Sequence, residues 1–146
     1  MAKWGMEKIG KTPLWSVMAV VLGAAAFLAA CGEKTSKSDA KKAANALSDY
    51  YYAKWRAPSS DWQVQKVTIA KGNIVNIDTR IITKTLSKAI MERSKMEQME
   101  IARLACPAPN LKIWSKIGKE QPVNIRLSGT AGHIINALCK KPDREE

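Results

Sequence analysis

The chain has 146 residues, with 24 Lys or Arg against 13 Asp or Glu and a formal net charge of +11. That length allows one small domain with appendages. The absence of repeats and of a Gly-rich phosphate loop excludes solenoid architectures and P-loop nucleotide chemistry.

Met1 to Pro13 carries Lys3, Lys8 and Lys11 against one acid, Glu7. Leu14 to Ala30 follows without a charge, and small residues then precede Cys31. A basic segment, an apolar core and a small-residue boundary make the layout of a secretory signal peptide. The apolar run is about 17 residues, the lower edge of what spans a bilayer, so an uncleaved transmembrane anchor is the alternative. The sequence Leu28-Ala29-Ala30-Cys31 resembles the lipobox of bacterial lipoproteins, a resemblance confined to residues 1–31. It implies that residues 1–30 are removed, that Cys31 receives a diacylglyceryl thioether, and that its new amine is acylated. The implied home is the cell envelope, with the membrane as a partner through the lipid on Cys31. Gly32 in place of an Asp after the cysteine implies the periplasmic face of the outer membrane, rather than the inner membrane, in a Gram-negative host.

The leader's three lysines and one glutamate take two charges with them, leaving an excess of nine on residues 31–146. In the cytosol such a surplus would suggest nucleic acid. In an envelope it points to an acidic partner protein, an anionic lipid or peptidoglycan, with no nucleic acid, or else to a solvated basic surface. The lipobox also resolves an odd cysteine count. With Cys31 lipidated, Cys106 and Cys139 remain as an even pair in an oxidising compartment, the alternative being two separate buried thiols.

Residues 31–38 read as the lipidated Cys and a polar, flexible tether. Lys34, Lys37, Lys41 and Lys42 lie at this membrane-proximal end, where basic residues favour an anionic surface. Ser36 and Asp39 suggest a capping box, and Ala40, Ala43, Ala44, Leu47, Tyr50, Tyr51 and Trp55 keep a helical period until Pro58. Tyr50, Tyr51, Tyr52, Trp55 and Arg56 form an aromatic-basic cluster. Such a cluster either binds a sugar, headgroup or peptide, or forms the wide end of an amphipathic helix on a sheet.

Alternation from Trp62 to Ile82, with Lys71-Gly72-Asn73 in the middle, predicts a β-hairpin. A break in step near Gln65-Lys66 predicts a bulge. One face is apolar; the other carries Lys71, Asn76, Asp78 and Arg80, so the sheet should be wet on one side. Thr83 is placed to cap a second helix from Lys84 to about Ala105, ended by Pro107 and Pro109. Met91, Met96 and Met99 in it could offer thioethers to a soft metal, but their spacing favours gap-filling, and no metal is assigned. Leu111 to Ile117 reads equally as strand or helical turn. Val123 to Leu127 alternates as a strand, Ser128 to Gly132 as a turn. His133 to Cys139 is either the returning strand, which its period slightly favours, or a last helix. The acidic residues 143–146 should fray.

No catalytic constellation stands out. His133 is the only histidine, the disulfide would consume both free thiols, and Glu92, Glu97 and Glu100 alternate with Arg93 and Lys95 as on a solvated helix face. No catalytic residue and no cofactor is assigned. The expected fold is α+β over residues 39–142: an antiparallel sheet of two hairpins with two helices on one face, stapled by one disulfide. The expected role is a non-enzymatic accessory, scaffold or docking module of an envelope assembly, such as a secretion, conjugation or cell-wall complex. The alternatives are a lipoprotein binding an anionic lipid, glycan or metal, and an inhibitor or immunity-type protein.

Overall fold

A computed structural model describes residues 35–142, which fall within one compact unit. Cys31, the leader and the acidic end 143–146 lie outside the described residues. Helix α1 spans Lys37–Ala53, so it begins inside the stretch expected to be tether. The Ser36 side chain accepts a hydrogen bond from the Asp39 amide, satisfying one of the open donors of the first turn. Thr35 is itself held: its hydroxyl donates to the Glu120 carbonyl, and Asn73 Nδ2 donates to the Thr35 carbonyl. Ala40, Ala43, Ala44, Leu47 and Tyr51 form the buried stripe of α1, with small residues first and the ring last.

Strands β1 (Trp62–Ile69) and β2 (Val75–Ile81) form the predicted hairpin. Gly72 and Asn73 both take positive φ in its turn, the conformation that Gly and Asn adopt most cheaply. Register slips by one between Val64 and Lys66, so Gln65 is the extra residue of the expected bulge. Strands β3 (Val123–Gly129) and β4 (Gly132–Leu138) form a second antiparallel pair around a tight turn. His133 to Leu138 is therefore strand.

The sheet is mixed rather than antiparallel throughout. Its order is β1-β2-β3-β4, and the central pair β2·β3 runs parallel from Val75↔Val123 to Arg80↔Ser128. A parallel pair needs a crossover, and the segment between β2 and β3 supplies it as three helices. The helix expected over Lys84 to Ala105 is two: α2 (Lys84–Met91) and α3 (Lys95–Arg103). The break falls at Ser94, whose side chain accepts from the Glu97 amide while the Glu97 carboxylate accepts from the Ser94 amide. That reciprocal capping box holds the Glu97 carboxyl below its ordinary range, chiefly through the Ser94 hydroxyl. Thr83 sits at the N-cap of α2 but makes no side-chain cap bond. The undecided stretch near Leu111 folds as a single turn, α4 (Ile113–Lys116).

The core lies between the helices and one sheet face. Val75, Ile77 and Ile81 of β2 and Val123, Ile125 and Leu127 of β3 are buried there with Leu47, Tyr51, Ile90, Ala102, Trp114 and Ile117. The Cys106–Cys139 disulfide is present, with Cα atoms 5.6 Å apart across 33 residues of chain. It ties the segment after α3 to the end of β4, and Arg103 Nε donates to the Leu138 carbonyl beside it. Gly129 lets α2 approach the sheet: a Cβ there would lie 1.9 Å from Ser87 Oγ and 3.1 Å from Ile134 Cδ1.

Candidate functional site

The aromatic-basic cluster does not act as a block, because a helix turns successive residues about 100° apart. Tyr51 faces inward, 5% exposed, and its hydroxyl donates to the Ala105 carbonyl at 2.6 Å. Burial drives its phenol far above the ordinary tyrosine pKa, with the Tyr50 ring adding to the effect. Tyr52 turns the opposite way, 66% exposed, its hydroxyl donating to the Gln65 carbonyl of β1. Tyr50, Trp55 and Arg56 remain, and these three line a common cleft.

The cleft has a volume of about 640 Å³, within the range of small-ligand and peptide-anchor sites. One wall is the end of α1 and the chain after it: Asp49, Tyr50, Lys54, Trp55 and Arg56. The other is the loop after α3 and the turn of α4, with Leu104, Leu111, Ile113, Lys112 and Lys116. Two sets of contacts fix these walls. Tyr51 packs edge-on against Tyr50 at 5.1 Å and tilted against Trp55 at 5.5 Å, while its hydroxyl grips the carbonyl next to Cys106. Trp114, the buried residue of α4, donates its indole N–H to the Ala108 carbonyl at 3.0 Å. The disulfide then fixes Cys106, itself part of the lining.

Electrostatically the cleft is one-sided. Lys54, Arg56, Lys112 and Lys116 stand on its rim against the single carboxylate of Asp49. None of the four cations forms an ion pair with a described residue. Between them Leu104, Leu111 and Ile113 supply the apolar part of a lining that is about half polar, and Leu104 is strongly exposed. Burial raises the Tyr50 phenol above its ordinary pKa, so it stays a neutral hydrogen-bonding group to higher pH than a solvated tyrosine. The chemistry on offer is a mixed lining with apolar Leu104, Leu111 and Ile113, two aromatic faces and four cations. Sequence reasoning missed Lys54 and the whole second wall. The i, i+4 pair Lys112 and Lys116 flanking Ile113 was the available signal, but one helical turn is too short to establish a period.

His133 stands exposed at the start of β4, on the sheet side away from the helices. Met91 and Met96 are exposed and Met99 packs against the core, so the three methionines do not converge as one thioether site. Among the described residues no group of three or more His, Cys, Asp or Glu could hold a metal ion. Among them, no helix is long and apolar enough to cross a membrane. Comparison with protein-family models, with curated proteins and with solved structures returned no match.

Proposed function

We propose that this chain is a non-enzymatic, lipid-anchored protein of the cell envelope that acts as a docking module, and that it docks through the cleft between α1 and α4. The observation that carries the reading is the cleft itself: four cations with no ion-pair partner among the described residues, beside the apolar side chains of Leu104, Leu111 and Ile113, with Tyr50 and Trp55 as anchoring rings. The complement of such a surface is an acidic segment with apolar side chains on an envelope protein. Aromatic anchors supply binding energy and the rim charges speed and orient encounter. The lining supports binding more than catalysis, since its cysteine is in a disulfide and its phenol is held neutral. The anchoring half of the proposal rests on the lipobox at residues 28–31.

A photo-crosslinking amino acid at position 111, introduced into the full-length protein in intact cells, tests the reading. A discrete protein adduct is expected, and it should vanish when Lys54, Arg56, Lys112 and Lys116 are all changed to Glu while membrane association persists. An adduct undiminished by charge reversal, or none where a control position on β1 gives as much, refutes docking at this cleft. A lipid or glycan adduct that disappears on charge reversal would move the cleft to the ligand-binding alternative.

A further inference from the structure

The sheet face turned away from the helices holds a second concavity, separate from the cleft and independent of its function. Register aligns its side chains in rows. Lys66, Asp78 and Arg126 lie opposite one another across β1, β2 and β3, and Arg80, Ser128 and His133 form the next row across β2, β3 and β4. These residues line a recess of about 470 Å³ beside the β3–β4 turn.

The charge pattern is not that of a merely solvated sheet. A wet face normally mixes signs across its strands, because like charges at neighbouring cross-strand positions repel. Here three cations surround one carboxylate. Asp78 is only 17% exposed in its side chain and is shared, with Lys66 Nζ at 3.8 Å and Arg126 Nε at 3.5 Å. The contact uses Nε and leaves both Arg126 Nη groups without a described partner. The side chain of Arg80, a diagonal neighbour one row on, makes no hydrogen bond or ion pair with any described residue. Asp78 thus orients one guanidinium and one ammonium but neutralises only part of the cluster. Ser128 fixes its own hydroxyl by donating to the Thr79 carbonyl, leaving the oxygen's hydrogen committed inward.

We propose that this recess is an oxyanion site for a phosphoryl group, held by the guanidinium groups of Arg80 and Arg126 with Lys66 beside them. Two guanidinium groups on adjacent strands present several N–H donors to one tetrahedral anion, a match in both charge and geometry that a monocarboxylate fills less well. Asp78 competes with the bound anion for Lys66 and Arg126, and its charge limits affinity. Free phosphate, a sugar phosphate and a lipid phosphate all present this phosphoryl group; the recess selects the group common to all three.

The test is an NMR titration of the full-length mature protein in uncharged detergent, following the arginine side-chain N–H signals. Inorganic phosphate, a sugar phosphate and a short-chain phosphatidic acid are added in parallel, with chloride at matched ionic strength as the control. Saturable shifts at Arg80 and Arg126 are expected with phosphoryl ligands and not with chloride, and the tightest ligand names the carrier. Arg80→Gln and Arg126→Gln should each weaken binding about tenfold, the loss of one charge-assisted bond set. Asp78→Asn should tighten it about two- to fivefold, since the carboxylate competes with the anion for Lys66 and Arg126 across contacts of 3.8 and 3.5 Å. A purely structural Asp78 would give the opposite sign. Equal shifts with chloride, or phosphate affinity unchanged in both arginine variants, would overturn the proposal.

Discussion

Removing the disulfide is the most quantitative test of how this domain holds together. Cys106 and Cys139 close a loop of 33 residues. In the chain-entropy account such a cross-link stabilises by roughly 3–4 kcal/mol at 25 °C, because the unfolded chain can no longer open that loop. The Cys106→Ala/Cys139→Ala double variant avoids leaving a lone thiol and adds no buried hydroxyl. For a domain of about 110 residues the unfolding entropy is about 0.23 kcal/mol per kelvin, so the melting temperature should fall by about 15 °C. Urea unfolding should show the same loss of free energy together with a larger slope, since the unlinked chain exposes more surface on unfolding. Reductant should shift the parent protein by a similar amount and leave the variant unmoved. A loss below about 1 kcal/mol, or a reductant effect that survives in the double variant, would refute the loop argument. Cys106 also lines the cleft, so crosslinking from position 111 should weaken in the same variant.

Gly129→Ala should cost about 2–4 kcal/mol, combining overpacking against Ser87 with loss of the hydrogen bond that Ser87 Oγ accepts from the Thr130 amide. Urea unfolding measures it, and a change under about 0.5 kcal/mol would mean α2 moves aside freely. Tyr51 titrates higher folded than unfolded, so above pH about 10 the unfolded chain gives up its proton first and stability falls by up to about 1.4 kcal/mol per pH unit. Tyr51→Phe should lose about 1 kcal/mol at neutral pH from the unpaired Ala105 carbonyl and remove this alkaline slope; a slope unchanged in the variant would place its origin elsewhere. Mass analysis of the membrane form should find lipid on Cys31 and none in Cys31→Ser. A Cys31→Ser protein still firmly membrane-bound with residues 1–30 attached would sink the lipoprotein reading.

Local structure was legible wherever a period or a turn residue acted over a few positions. The alternation of β1 and β2, the Gly72-Asn73 turn and the Gln65 bulge all depend on neighbours in sequence. The break between α2 and α3 was also written locally, as Ser94 three residues before Glu97, but the apolar residues on either side masked it as one long helix. The parallel join of β2 to β3 was not legible. Alternation places a side chain on a face but does not say which strand lies beside it, and that choice was made by the packing of the helical crossover. The candidate cleft divides the same way. Its α1 wall was visible as a cluster, though helical rotation removed Tyr51 and Tyr52 from it. Its α4 wall came from residues more than 50 positions away, brought in by the bond between Tyr51 and Ala105.

The pinning of Thr35 fixes how far this domain can work from its anchor. On the lipid-anchored reading, only residues 32–34 separate the acylated cysteine from a residue held by Asn73 and Glu120, a span of at most about 14 Å. Helix α1 then adds about 25 Å before the rings that edge the cleft. If the chain is anchored at Cys31 and docks through the cleft, as proposed, that surface would stand no more than about 40 Å above the bilayer. A partner of the proposed kind would have to reach down into that shell, and residues inserted between 34 and 35 would raise the ceiling without altering the cleft.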